Sequence, residues 1–168
     1  LGVDIRLTSQ DTKLVENLVE SIIKRIDKYV YGFDSDKLEE VVADLLVKNN
    51  TTIATAESCT AGLLSARLTN VPGSSKYFNG GVVCYSNQLK EELVGVKKET
   101  LDRYGAVSEE TASELAENIA KKLDSEIGVS ITGVAGPGGG TEKKPVGLVF
   151  VGIFYKNNVY IIKFQIVK

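Results

Sequence analysis

The 168-residue chain contains no histidine and no methionine, and only two cysteines. Without His, the Ser-His-Asp and Cys-His mechanisms are excluded, and so is the commonest metal ligand. Without Met, the chain is expected not to begin at a translation start and to be a piece of a longer protein. Cys59 and Cys84 show no metal-ligand spacing, and nothing in their placement suggests a disulfide. Neither charge sign dominates: 20 Lys and Arg stand against 22 Asp and Glu, a net of -2. No global basic field therefore points to nucleic acid, although a local patch stays open. No apolar run approaches the roughly 18 residues of a membrane helix, and no signal peptide is visible. A cytoplasmic location with reduced thiols is expected.

What remains is an ordinary globular composition, 43% apolar and 25% charged, in a chain long enough for one domain plus a fragment. Residues 2–8 (GVDIRLT) alternate apolar and polar and predict a strand. Leu14, Leu18, Ile22 and Ile26 repeat every four residues and predict a helix over 11–28. One strand and one helix cannot bury that face, so residues 1–33 are expected to be an α+β fragment of a preceding domain. A turn-like stretch, Tyr31 to Ser35, marks the boundary, and the main domain is placed at 34–168. It opens with a helix over 36–48, where Asp36 and Glu39 have capping-box spacing. Strands at 52–56, 79–85 and 127–132 then alternate with helices at 59–69, 88–93, 99–104 and 109–123, the pattern of an α/β layered domain. Ser108 is the expected cap of the last helix. Two β-rich runs, 146–155 and 159–167, flank Asn157-Asn158 and predict a hairpin, which makes the sheet mixed.

Three segments could carry chemistry. TAESCTAG, residues 55–62, sits where a strand meets a helix, a position where unpaired amides face a ligand. Ser58 there is either a helix cap or a nucleophile with the amides of Cys59 and Thr60 as oxyanion site. Cys59 is a rival nucleophile if a helix terminus lowers its pKa, or a small buried residue otherwise. YSNQLK, residues 85–90, is a second strand-to-helix junction. A desolvated Lys90 can lose its proton and activate a serine without histidine, and Tyr85 could relay that proton or hold the leaving group. The plainer alternative is a solvated lysine. ITGVAGPGGGT, residues 131–141, runs from a strand into a loop with five glycines between 133 and 140. Such a loop lets amides approach a phosphate, or simply connects. It is neither a Walker loop nor a dinucleotide fingerprint. Asp102 and Glu114 read as solvated helix carboxylates.

TAESCTAG, GGVVCYSNQLK, GAVSEETA and ITGVAGPGGGTEKKPVG, in this order, resemble the C-terminal domain of CinA-like proteins. The resemblance covers about residue 36 to the chain end. It implies a three-layer α/β/α fold on a mixed, mostly parallel five-stranded sheet, in agreement with the hairpin reading. It implies nicotinamide-nucleotide amidase activity, the hydrolysis of nicotinamide mononucleotide to nicotinic acid mononucleotide and ammonia in pyridine-nucleotide salvage. Ser58, Tyr85 and Lys90 match the family's catalytic positions. Glu57, Cys59, Thr60, Thr132, Gly133, Ala135, Gly136 and Gly138 are the expected substrate-contacting set, with no metal and no cofactor. A small-molecule nucleotide and a second copy in a homodimer are the expected partners. The family continues past this end with a Gly-Asp-Arg turn and a basic helix. Its loss predicts an exposed sheet face, a missing phosphate-binding arginine and an inactive or partly disordered piece. Residues 1–33 resemble the tail of the preceding domain in longer CinA-like chains, which also carry an N-terminal nucleotide-hydrolase domain of molybdopterin-binding-like fold.

Two other readings compete. A non-catalytic nucleotide-binding module keeps the Gly-rich loop and treats Ser58 and Lys90 as structural. A DNA-handling role, suggested by the competence name of the family, is disfavoured by the charge and the lack of a basic stripe.

Overall fold

The computed structural model describes residues 2–166. Contacts divide the chain into two compact units, residues 1–41 and 42–168. No helix among the described residues is long and apolar enough to cross a membrane.

The first unit is built around helix α1, Thr12–Ile26, which runs on into a 3-10 turn at Asp27–Tyr29. Asp11 caps α1 by accepting from the Leu14 amide, and Lys24 and Arg25 lie in its last turn, where the helix dipole favours cations. Residues 2–8 form no strand, contrary to expectation. Alternation gives a segment two faces, but a strand exists only by pairing its backbone, and a lone segment has no ladder to join. Val3, Ile5 and Leu7 instead share a groove of about 640 Å³ with Val15, Val19 and Ile22 of α1. The fragment is therefore helical rather than α+β. Asp36 also departs from its expected capping box, because its carboxylate turns back to accept from the Phe33 amide at 2.9 Å.

Helix α2, Leu38–Lys48, leads into the second unit. There β1 (Ile53–Glu57), β2 (Phe78–Val83), β3 (Ile127–Gly133), β4 (Leu148–Tyr155) and β5 (Asn158–Gln165) form one sheet in the order β2-β1-β3-β4-β5. β1 runs parallel to both β2 and β3, while β4 is antiparallel to β3 and β5. The fold is thus α/β with a mixed sheet and helices on both faces. The hairpin between β4 and β5 turns on Lys156 and Asn157, both at positive φ (49° and 61°), one residue earlier than expected. Two positive φ values at the centre of a two-residue turn match the right-handed twist of the flanking strands.

Burial explains the layering. β1 is buried at all five positions, as a strand covered on both faces must be. Ile53 packs with Ala43 and Leu46 of α2 and with Leu68 of α3 (Leu63–Thr69). Ala54 and Ala56 face the other way, toward Leu101 of α5 (Lys98–Tyr104) and Leu115 and Ile119 of α6 (Glu109–Lys122). Ser108 caps α6 as expected, accepting from the Thr111 amide. Glu114 is not the free surface carboxylate its position suggested: it accepts from Lys97 N at 2.8 Å and Thr100 Oγ1 at 2.6 Å, tying α6 to α5. On the face of β5 away from α6, Tyr160, Ile162 and Phe164 are exposed.

The seating of α6 depends on small residues. Ala112, Ala116 and Ala120 repeat every four residues along one ridge and are fully buried. Ser130 Oγ of β3 donates to the Ala112 carbonyl at 2.6 Å. Gly128 lies directly under the helix backbone, so a Cβ there would overlap the Ala116 carbonyl and the Ala120 methyl. Gly128→Ala should therefore destabilise the domain by about 3 kcal/mol through overpacking, read as a lowered midpoint in urea unfolding. An unchanged midpoint would mean that α6 does not sit this close to β3.

Candidate active site

Three parallel strands end side by side. Glu57, the last residue of β1, pairs with Val83 of β2 and Ile131 of β3. Ser58 follows immediately, and its amide donates to the Ile131 carbonyl at 2.9 Å. Cys84 and Tyr85 leave β2 on one side, while Thr132 and Gly133 lead from β3 into the Gly-rich loop on the other. The carboxyl ends of the parallel strands, the usual place for a site in an open α/β sheet, thus converge on Ser58.

Lys90 reaches this point from the next helix. Ser86 caps helix α4, Asn87–Leu89, accepting from the Leu89 amide. The helix widens into a π-turn over Lys90–Val94, a feature frequent at functional sites. Lys90 is fully buried, and its Nζ lies 3.0 Å from Ser58 Oγ, 2.8 Å from the Cys84 carbonyl and 3.0 Å from the Tyr85 carbonyl. Ser58 itself is 7% exposed. Burial pushes the Lys90 pKa below the ordinary lysine value, and the nearby Cys84 and Cys59 thiols oppose that shift without cancelling it.

Cys59, the rival, is half-buried, and burial raises its thiol pKa, although its own amide and that of Thr60 act to lower it. The thiol is therefore held in its protonated, weakly nucleophilic form, not activated by a helix terminus. The same two amides are the ones that lie next to Ser58 and could receive an oxyanion. Cys84 is fully buried, its pKa also raised by burial.

The helix expected from residue 59 starts only at Leu63. Ala61 (φ 50°) and Gly62 (φ 97°) are both left-handed, so residues 58–62 form a loop instead. The cause is Glu57. Its carboxylate, fully buried, accepts from the Gly62, Leu64 and Ser65 amides at 3.2, 3.0 and 2.8 Å and from Ser65 Oγ at 2.6 Å. The first amides of α3, which would otherwise face a ligand, are thus consumed by a side chain from the preceding strand. The Glu57 carboxylate, expected among the substrate contacts, is taken up by these four hydrogen bonds and shapes the loop.

The remaining expected residues divide. The Thr60 hydroxyl is buried and makes no hydrogen bond of acceptable geometry, yet lies close enough to Glu57 to help lower its pKa. Thr132 is fully buried and donates to the Ala106 carbonyl at 2.7 Å, so its hydroxyl holds the α5–α6 connection rather than an open site. Gly133 has no room for a Cβ against the Leu148 carbonyl and Val149. Ala135 and Gly138 are exposed, Gly136 is half-buried at φ 79°, and Gly138 and Gly139 have open space around them. Tyr85 is 69% exposed, and it is its carbonyl, not the phenol, that meets Lys90. Ser65, Thr55 and the Cys84 carbonyl were not expected. A buried hydroxyl eight residues beyond a buried carboxylate has no local sequence signature.

Fold and pair define an α/β domain with a serine–lysine dyad at the carboxyl edge of three parallel strands. The family model for the CinA C-terminal domain matches residues 35–168. A CinA-like protein of Thermotoga neapolitana is 48% identical over 159 residues, covering 94% of this chain and 39% of that protein. A CinA-like protein of Dictyoglomus thermophilum is 50% identical over 147 residues, 88% of this chain and 36% of its own length. The chain therefore spans well under half the length of these curated relatives. Among solved structures, the competence damage-inducible protein A of Klebsiella pneumoniae superposes with a TM-score of 0.76 at 30% identity, covering 78% of this chain and 81% of that one. The competence/damage inducible protein of Agrobacterium tumefaciens gives 0.72 at 37% identity, covering 80% and 84%. The chain belongs to the CinA C-terminal domain family.

Glu57 also makes a pH prediction. Burial alone would raise its pKa, but the hydrogen bonds from Ser65 and Leu64, with the nearby Thr60 hydroxyl, outweigh it and hold the carboxyl below its ordinary value. A group with a lowered folded-state pKa contributes stability above the unfolded pKa and loses it as pH falls through the folded one. Glu57→Gln should therefore cost about 2 kcal/mol at neutral pH, and the gap to wild type should close in acid, as pH falls through the lowered folded-state pKa of Glu57. Chemical unfolding at a series of pH values tests this, and a gap that stays constant with pH would contradict it.

Proposed function

We propose that this domain hydrolyses the carboxamide of nicotinamide mononucleotide, giving nicotinic acid mononucleotide and ammonia. Ser58 is the nucleophile and neutral Lys90 the base. The observation that carries the reading is the 3.0 Å contact between a fully buried amine and a serine hydroxyl. The choice of substrate comes from the resemblance of the motifs that hold these residues.

The chemistry follows from the acceptors. A neutral amine has two N–H groups and one lone pair. The Cys84 and Tyr85 carbonyls take the two N–H groups, which leaves the lone pair for the Ser58 proton. As Ser58 Oγ attacks the carboxamide carbon, its proton passes to Lys90. The tetrahedral oxygen develops charge beside the Cys59 and Thr60 amides. Lys90 then returns the proton to the leaving nitrogen, ammonia departs, and the acyl group remains on Ser58. Water, deprotonated by the same amine, releases the acid. Tyr85, with its ring exposed at the rim, contacts the ligand and does not carry the proton. The loop from Gly133 to Gly140, with its open tip, receives the nucleotide part.

Ammonia release from the mononucleotide is the test. Ser58→Ala and Lys90→Met should each lower kcat by about 1,000-fold or more, with the chains still folded by circular dichroism. Turnover undiminished in Ser58→Ala ends the reading. Nucleotide binding by the wild type with no ammonia release would favour the non-catalytic module instead.

A further inference from the structure

The residue before Ser58 is held more firmly than a strand end requires. The backbone carbonyl of Glu57 accepts from Cys84 N at 2.8 Å, and its carboxylate accepts four hydrogen bonds from Gly62, Leu64 and Ser65. Cys84 is the residue whose carbonyl holds Lys90. Glu57 therefore stands one hydrogen bond from the support of the base and one peptide bond from the nucleophile.

A relay of hydroxyls orients it. Thr55 Oγ1 and Ser65 Oγ lie 2.7 Å apart. An ionised carboxylate can only accept, so Ser65 donates to Glu57 and Thr55 donates to Ser65. Thr55 is fully buried on β1. Gly81, its partner on β2, leaves the space for this chain, since a Cβ there would collide with both hydroxyl oxygens. Three strand and helix elements are thus shaped around one carboxylate.

We propose that Glu57, oriented by the Thr55–Ser65 hydroxyl relay, is a positioning residue that fixes the 58–62 loop so that Ser58 Oγ faces Lys90 and the Cys59 and Thr60 amides face the developing oxyanion. This rests on Ser58 being the nucleophile. The left-handed pair Ala61–Gly62 shows why a clamp is needed, because a non-glycine residue at φ 50° holds that conformation only when its surroundings impose it. Releasing the Gly62, Leu64 and Ser65 amides lets the loop relax. A displacement of about 1 Å at a reacting atom costs on the order of 100-fold in rate.

The experiment uses the full chain and two readouts: ammonia release from nicotinamide mononucleotide, and the rate at which a fluorophosphonate labels Ser58, followed by intact mass. Glu57→Gln should lower kcat about 100-fold and Ser65→Ala about 10-fold, with KM moving less than about 3-fold. Labelling should slow in parallel. Thr55→Val should lower kcat, while Thr55→Ser, which keeps the hydroxyl, should restore it. All are assayed below their measured unfolding midpoints. If Glu57→Gln does not fold, Ser65→Ala and the Thr55 pair decide. A capping role alone would lower the midpoints and leave kcat and labelling at wild-type values, and that result overturns the proposal. A wild-type chain that neither releases ammonia nor labels at Ser58 removes the nucleophile reading and this inference with it. An active wild type with equally active variants removes the inference alone.

Discussion

A lysine side chain taken out of water has two ways to settle: find an acceptor for each of three N–H groups, or give up a proton and keep two. Lys90 is built for either outcome, with two carbonyls and one hydroxyl around its nitrogen. The hydroxyl is what makes the difference, because it alone among the three partners can donate back. When the amine is neutral, Ser58 can turn from acceptor to donor, and on the proposed mechanism the pair is then a nucleophile with its base already in contact. Burial supplies the bias toward the neutral form. Without histidine in the chain, this contact is where the proposed chemistry begins.

The rest of the domain can be read as what keeps that contact dry and in register. β1 lies between two parallel neighbours, so the ends of β2 and β3 sit on either side of Ser58. The ridge of alanines on α6, with Gly128 of β3 and Gly152 of β4 beneath it, brings that helix close to both strands. Thr132 then ties the end of β3 to the α5–α6 connection. On the opposite face, Glu57 spends the amides of α3 on itself. A helix start that would have attracted any passing anion is closed.

Much of this was legible before the structure. The alternation of strands and helices follows from hydrophobic periodicity, and the cap at Ser108 from a serine placed just before two glutamates, a local signal. The pairing of Ser58 with Lys90 could be reasoned from two strand-to-helix junctions and the lack of histidine, with the family resemblance to select them. The late start of α3 could not. It depends on a carboxylate reaching five to eight residues ahead, where propensity for TAGLLSAR says only helix. The strand at residues 2–8 failed for a related reason, since alternation records a preference while pairing needs a second segment. Tyr85 was read as a side chain alone, and its carbonyl, which any residue at that position would offer, also meets Lys90.

The protonation state of Lys90 is the most direct test. Lysine carrying 13C at Cε reports its own titration by NMR, and Lys90→Met identifies the resonance. The account predicts that Lys90 loses its proton at a pH clearly below that of the exposed lysines, and that the spectrum of the others is unaffected. A Lys90 resonance that titrates together with the surface lysines would show a charged amine beside Ser58 at neutral pH, and the serine–lysine mechanism would have no base.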